Sequence, residues 1–284
     1  SYLDAILLSK CAKNCTLPND AWFRDTGATF LVDGKGGKAA TDWNFNAYGG
    51  LVDGLYFPWD KDAEIARKMA DYVGVRTYRP DHVILEGGSI TVDGEGTVIV
   101  TDSCLLSAGR TASALIADEP DAGDWPHYAR KYAPFSEELR AYMTEELKKY
   151  LGVEKVIWVK EGIDPEVTNG HIDDCATFIA PGVVACIWTD DPDYPFYRQC
   201  HEIYETLSNA TDAKGRKLKV YKLPMPEKPC FMSEEEANSI DLVNPRTAQD
   251  EPQIASYMNY LVTNHGCIVP QYGDKNDALA VETL

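Results

Sequence analysis

Apolar residues recur at helical spacing in three segments of the chain, and a short apolar run follows each of them. This periodicity predicts three amphipathic helices, each followed by a strand. Gly74 and Gly152 stand where the first two helices are expected to end, and Ser136 is a suitable first residue for the second helix. The predicted strands occupy residues 75–78, 156–159 and 217–220. The three apolar stripes consist of Ile65, Met69, Tyr72 and Val73; Leu139, Met143, Leu147 and Leu151; and Cys200, Ile203, Tyr204 and Leu207.

Glycine-containing loops between other apolar runs predict hairpins around residues 33–37, 93–96 and 264–266. Hairpin, helix and strand therefore form a unit that recurs at a spacing of roughly 65 to 80 residues, longer than the periods of solenoid proteins. This order predicts an α/β fold with mixed sheets, not a doubly wound parallel sheet. Without an evident linker, residues 1–284 are expected to form a single domain. The proline- and aspartate-rich segment 111–135 predicts a surface insertion.

Composition narrows the classes of function. The 284 residues are 44% hydrophobic and 25% charged, and they contain no run long enough to span a bilayer. A net charge of −18 disfavours nucleic acid as a partner and favours small cations, although many enzymes are acidic for solubility alone. Eight cysteines without a CxxC pair favour a reducing, cytoplasmic setting over a disulfide framework or a zinc site.

Three polar clusters, within residues 19–27, 85–89 and 168–173, place acidic groups beside glycines and strand ends. Their candidate functional residues are Asp25, Glu86, His171 and Asp173. Taken singly, each has a structural interpretation. Asp25 pairs with its neighbour Arg24, Glu86 caps the following glycine backbone, and His171 with Asp173 forms a structural pair or half of a metal site.

Taken together, two aspartates, a glutamate and a histidine form an anionic cup suited to a guanidinium ion. Carboxylates match the planar fork of guanidinium donors in bidentate geometry. A metal site is less well supported because no HExxH motif is present and only one histidine lies near the acids. We therefore expect no metal and no organic cofactor.

In this order, the three clusters resemble the agmatine deiminase family of the guanidine-modifying superfamily. The resemblance covers most of the chain, except the first fifteen residues or so and the segment 111–135. The matching segments are 22–27 (WFRDTG, similar to WxRDxGP), 43–51 (WNFNAYGGL), 56–60 (YFPWD), 86–89 with 93–97, 104–107 (CLLS), 168–173 (the NGHxD block), and 268–270 with Gly273, Asp274 and Asp277.

The sequence also departs from the family pattern. Ala28 replaces the proline that follows Gly27, and Thr111 and Ala112 replace the usual Asn-Pro after Arg110. The family fold is a five-bladed pseudo-symmetric α/β propeller, of which these repeats would supply part. The family nucleophile is a cysteine in a GGGxxHC motif beyond the last matching block. We therefore expect a domain incomplete at both ends, and we expect Cys267, in an apolar strand, to be an inert core thiol.

The resemblance implies hydrolysis of agmatine to N-carbamoylputrescine and ammonia through a covalent cysteine intermediate, a step of putrescine and polyamine biosynthesis. On this basis Asp25 and Asp173 bind the guanidinium nitrogens, and Glu86 contacts the guanidinium and orients His171. His171 gives a proton to the leaving ammonia and later activates water, and Trp22 lines the pocket.

Two alternatives stay open at this point. One is a non-catalytic relative that binds a guanidine or polyamine or has a structural role, and the expected lack of the nucleophile favours it. The other is an arginine-specific deiminase or an amidinotransferase, against which the segments at 43–60 argue. The expected partner is a small cationic guanidine such as agmatine, with no nucleic acid and no membrane, and a homo-oligomer is left open.

Overall fold

The computed structural model describes residues 18–116, 127–130, 132–239 and 252–284. They form a mixed α/β fold in two compact units. The N-terminal unit contains the described residues up to Ser89 together with Cys104–Val156, and the C-terminal unit contains Ile90–Ser103 together with Ile157–Leu284. The single-domain prediction and the predicted surface insertion at 111–135 remain predictions.

Among the described residues, the helices are α1 (Phe23–Thr26), α2 (Gly50–Asp53), α3 (Ile65–Val73), α4 (Asp102–Leu105), α5 (Glu137–Leu151), α6 (Tyr197–Asn209), α7 (Glu234–Ser239) and α8 (Asp277–Thr283). The strands are β1 (Thr29–Val32), β2 (Lys38–Thr41), β3 (Arg76–Tyr78), β4 (Thr91–Val92), β5 (Thr97–Thr101), β6 (Ser113–Ile116), β7 (His127–Arg130), β8 (Lys155–Val159), β9 (Ala176–Ala180), β10 (Val183–Trp188), β11 (Lys219–Pro224), β12 (Leu261–Thr263) and β13 (Gly266–Ile268).

The predicted order of hairpin, helix and strand is present in both units. In the N-terminal unit, β1 pairs antiparallel with β2, and β2 pairs parallel with β3 across the connection that contains α3. In the C-terminal unit, β9 pairs antiparallel with β10, and β10 pairs parallel with β11 across α6. The strands β4, β5 and β8 form a further sheet, whereas β6–β7 and β12–β13 are two-stranded ribbons. The prediction of mixed sheets is confirmed.

The helix ends follow from their sequence. Ser136 accepts a hydrogen bond from the backbone N–H of Leu139 at 3.1 Å and so begins α5. Gly74 and Gly152 adopt left-handed conformations at the ends of α3 and α5, as predicted. Leu139 and the two next residues of the α5 stripe are fully buried.

We expect Ser136→Ala to lower the free energy of unfolding by about 1 kcal/mol, because it leaves a helix N–H without its acceptor. Urea unfolding followed by circular dichroism measures the change. Ser136→Asp keeps an acceptor at the same place and should recover most of the loss. Equal midpoints for the wild type and Ser136→Ala would contradict the assignment of this cap.

Two elements differ from expectation. The buried face of α3 consists of Ile65, Ala66 and Ala70, whereas Tyr72 and Val73 are exposed, because small alanines let the helix pack closely on its other side. The third predicted strand begins two residues later, at Lys219, and continues to Pro224 in parallel register with β10.

The core of the C-terminal unit includes side chains from β10, β11 and the inner face of α6, and the segment around Tyr257 packs into it. In the N-terminal unit, Phe45, Ala47 and Tyr48 form a buried cluster with half-buried aromatic neighbours. No helix within the described part of the chain combines the length and apolar character needed to cross a membrane.

Candidate active site

Asp25 lies in the single helical turn α1 and is half-buried. Its Oδ1 accepts a hydrogen bond from the backbone N–H of Gly88 at 2.8 Å. Its Oδ2 accepts one from the hydroxyl of Tyr48 at 2.9 Å. Because both carboxylate oxygens are held, the orientation of the charge is set before any ligand arrives.

The glycine at position 87 permits the first of these contacts. A Cβ atom at Gly87 would lie 1.9 Å from the carbonyl oxygen of Arg24, which no side chain could tolerate. The backbone of residues 87–89 therefore packs directly on the backbone of α1. This close approach brings the N–H of Gly88 to Asp25.

Glu86 is fully buried and forms an ion pair with the equally buried Arg110, with 2.7 Å between Oε1 and Nε. The thiol of Cys104 lies 3.8 Å from Oε2 as a donor. The carbonyl oxygen of Glu86 accepts hydrogen bonds from the N–H and hydroxyl of Ser89. The side chain of Glu86 is thus engaged with Arg110, and its main chain closes the turn.

Electrostatics keep the donors of this unit protonated. Burial, together with the neighbouring carboxylates of Asp25 and Glu86, raises the pKa of Tyr48 well above its usual value, so its hydroxyl remains a donor. Burial works against the charge of Arg110. Burial is the largest single effect and lowers the pKa of Arg110, but the contact with Glu86 and the neighbouring Cys104 and Asp53 together outweigh it and raise that pKa. The guanidinium is therefore charged at any working pH.

In the C-terminal unit, the turn that carries the NGHxD block is held from several sides. Asn169 and Gly170 both have positive φ angles, of 58° and 87°. The hydroxyl of Thr101 donates to the carbonyl oxygen of Gly170 at 2.6 Å. Upstream, the carboxylate of Asp164 accepts from the backbone N–H groups at 167 and 168. These contacts fix the backbone from which the next side chains project.

His171 and Asp173 are both buried, with 3.9 Å between Nδ1 and Oδ1. The backbone N–H of His171 donates to the hydroxyl of Thr168 at 3.1 Å. The next residue, Asp174, accepts from the side-chain amide of Asn259 at 2.9 Å, which joins the block to the segment before β12. A buried imidazole next to a carboxylate is suited to proton transfer.

The structure therefore groups the predicted residues in two pairs. Asp25 and Glu86 lie in the N-terminal unit, where Asp25 accepts from Gly88 and the carbonyl oxygen of Glu86 accepts from Ser89. His171 and Asp173 lie in the C-terminal unit. Convergence of all four on one cup stays a prediction. Trp22, the residue before α1, is 62% exposed, and its place in a pocket likewise stays a prediction.

Sequence reasoning missed the partners Tyr48 and Arg110. The signal for Arg110 is a single charge inside the otherwise uncharged segment 104–112. The signal for Tyr48 is the pair of glycines that follows it, which points to an unusual backbone conformation. In the structure, Tyr48 and both glycines have positive φ angles. One expectation is wrong: Cys267 is exposed on the ribbon β12–β13, which has no buried residue, instead of lying in the core.

Comparisons with known proteins agree with these motifs. The model of the Porphyromonas-type peptidyl-arginine deiminase family matches residues 9–115 and 137–284. A putative agmatine deiminase of Streptococcus mutans is 51% identical over 268 residues, which cover 94% of this chain and 66% of that protein. An agmatine deiminase of Pseudomonas aeruginosa is 41% identical, with 92% of this chain and 65% of that protein covered.

Among solved structures, an agmatine deiminase of Enterococcus faecalis superimposes with a TM-score of 0.81 at 48% sequence identity. The match covers 94% of this chain and 67% of the E. faecalis chain. This chain spans 66% of the length of the S. mutans protein and 65% of the length of the P. aeruginosa protein.

Proposed function

Because this chain belongs to the Porphyromonas-type peptidyl-arginine deiminase family, we propose that the protein hydrolyses agmatine to N-carbamoylputrescine and ammonia. The observation that carries the proposal is 51% identity, over 94% of the chain, to a putative agmatine deiminase. The geometry supports it, because Asp25 presents a carboxylate held by two hydrogen bonds, an arrangement suited to a guanidinium.

In this proposal, Asp25 and Asp173 bind the guanidinium nitrogens and share the positive charge. Glu86 contacts the same group and orients His171. The buried imidazole of His171 protonates the departing ammonia and then removes a proton from the water that completes hydrolysis. Trp22 closes one side of the site. No metal or organic cofactor takes part.

A cysteine thiolate attacks the guanidinium carbon, ammonia leaves, and water cleaves the resulting thiouronium intermediate. We assign none of the six described cysteines to this role. Burial raises the pKa of Cys186 and Cys200 to about 12 and that of Cys175 well above its usual value, so their thiolates are disfavoured. Cys104 is buried, and Cys267 lies on an exposed ribbon.

The wider setting is part of the same proposal. The hairpin, helix and strand units are modules of a five-fold pseudo-symmetric α/β propeller. The product would feed putrescine and polyamine biosynthesis in the cytoplasm, a setting that the free thiols of the described cysteines support. A net charge of −18 favours the cationic substrate over nucleic acid, and a homo-oligomer remains open.

We expect the full-length protein to release ammonia from agmatine with a kcat/KM about 100-fold above that for arginine, because the carboxylate of arginine meets an acidic protein. Coupled detection of ammonia with each substrate measures the ratio. Asp25→Asn should lose most of the agmatine activity, whereas Asp33→Asn, in the exposed β1–β2 turn, should not. Equal turnover of both substrates, or none of agmatine, would remove the proposal.

A further inference from the structure

Arg110 is the largest fully buried charged side chain among the described residues. Its Nε faces Oε1 of Glu86 at 2.7 Å. Its Nη1 donates to the carbonyl oxygen of Tyr48. The guanidinium of Arg110 therefore links Glu86, whose carboxylate is a proposed substrate contact, to Tyr48. Tyr48 in turn orients the carboxylate of Asp25.

The contacts close into a ring. Tyr48, held at its carbonyl by Arg110, donates its hydroxyl to Asp25 at 2.9 Å. Asp25 accepts its second hydrogen bond from Gly88, two residues after Glu86. Glu86 returns to Arg110 through the ion pair. A displacement of Arg110 would thus move both carboxylates, since each is tied to it through at most one intervening residue.

Arg110 also supplies a positive charge in a fully buried ion pair with Glu86. An ionised carboxylate buried without a counter-ion would take up a proton. The guanidinium of Arg110 has the same shape and charge as the group that an agmatine molecule would bring. It holds Glu86 ionised and oriented as if a guanidinium were already bound.

We propose that Arg110 is a positioning residue of the guanidine site, which keeps Glu86 ionised and, through Tyr48, fixes the orientation of Asp25. This inference rests on the proposed function, because it assigns Arg110 to the same reaction. Arg110 does not touch the substrate in this role. Its two tasks are separable: the charge acts on Glu86, and the fork of donors acts on the backbone at Tyr48.

The test compares Arg110→Gln, Arg110→Lys and the wild type by the pH profile of kcat/KM for agmatine in the full-length protein. Arg110→Gln should lower kcat/KM by about 100-fold through misplacement of the carboxylates. Its acid limb should move to higher pH, because Glu86 without the cation is protonated more readily. Arg110→Lys should return the acid limb towards that of the wild type while kcat/KM stays reduced.

Arg79→Gln is the matched control. Arg79 forms an ion pair with Asp42 at 3.1 Å in the same unit, but it is 43% exposed and belongs to neither carboxylate of the site. Its removal should leave the acid limb in place. A purely structural role for Arg110 would lower the yield or the unfolding midpoint of the Gln variant without shifting the limb.

Tyr48→Phe carries the test if Arg110→Gln does not fold. Loss of one hydrogen bond to a charged group should raise KM for agmatine about tenfold, with a smaller change in kcat. Tyr56→Phe is its control, since the hydroxyl of Tyr56 donates at 2.6 Å to Asp62, a different aspartate of the same unit. The control should keep the wild-type KM.

Ammonia release by the wild type separates failure of the proposed function from failure of the positioning role of Arg110. A wild-type protein that releases no ammonia from agmatine overturns the proposed function and this inference with it. An active wild type whose acid limb is unmoved in folded Arg110→Gln overturns the inference alone. The same holds for an active wild type whose KM is unchanged in Tyr48→Phe.

Discussion

Glu86→Gln is expected to lower the free energy of unfolding by about 3–5 kcal/mol, because it leaves the buried cation of Arg110 without its carboxylate. Arg110 is fully buried, and a guanidinium is too basic to release its proton at neutral pH, so it cannot escape the loss by becoming neutral. Urea unfolding at neutral pH, followed by circular dichroism, measures the effect. The same substitution should abolish ammonia release, since it also removes a proposed substrate contact.

A second substitution separates the structural from the functional contribution of Glu86. In Glu86→Gln/Arg110→Met both charges are gone, and replacing a whole buried ion pair by neutral groups of similar size is often neutral for stability. The double variant should therefore regain most of the lost stability and none of the activity. Recovery of ammonia release together with stability would show that Glu86 does not contact the substrate.

Asp42→Asn is the matched control for stability. Its partner Arg79 is 43% exposed and can be solvated when the ion pair is lost, so we expect a cost of about 1 kcal/mol or less. If Glu86→Gln unfolds at the same urea concentration as the wild type, the buried ion pair does not stabilise the unit.

His171→Asn is expected to lower kcat for agmatine by about a thousand-fold, because the proposed proton donor to ammonia is removed. The carboxylates that bind the guanidinium remain, so KM should change much less. Steady-state kinetics on the full-length protein separate the two constants. Because His171 is buried, 3.9 Å from Asp173, a water molecule is not expected to take over its role as proton donor.

His82→Asn serves as the control, since His82 is an exposed histidine with no proposed part in the reaction. It should retain wild-type kinetics. A kcat for His171→Asn within tenfold of the wild type would contradict general acid catalysis by this residue. A KM that rises while kcat stays constant would instead make His171 a binding residue.

Helices with strong periodicity and clear capping residues could be predicted, because the local sequence determines where they begin and end. Ser136 and Gly152 bound α5 as expected, and the glycine turn at 93–96 joins β4 and β5. The hairpin β9–β10 was missed. Its second strand is apolar on both faces, so the run lacks the alternation that identifies a half-buried strand, and Gly182 is its main turn signal.

Asp25 and Asp173 could be selected from the sequence as site candidates because each lies in a contiguous motif, and their part in a site stays a prediction. The contacts that hold Asp25 and Glu86 could not be predicted, because they join distant segments. Arg110 and Glu86 are 24 residues apart, and Tyr48 and Asp25 are 23 apart, so no local pattern predicts either pairing. Tertiary packing determines such pairs. A charged residue within an otherwise uncharged segment of the sequence predicts only that it has some partner.

The close approach at Gly87 has a consequence for how this site tolerates mutation. The donor that holds Asp25 is the peptide N–H at position 88, and every residue except proline carries that group. Side-chain replacement at 88 therefore cannot delete the donor. The position that is sensitive to mutation is Gly87, where a single methyl group would meet the carbonyl oxygen of Arg24. The orientation of Asp25 thus depends on the peptide group of residue 88 and on the absence of a side chain at residue 87.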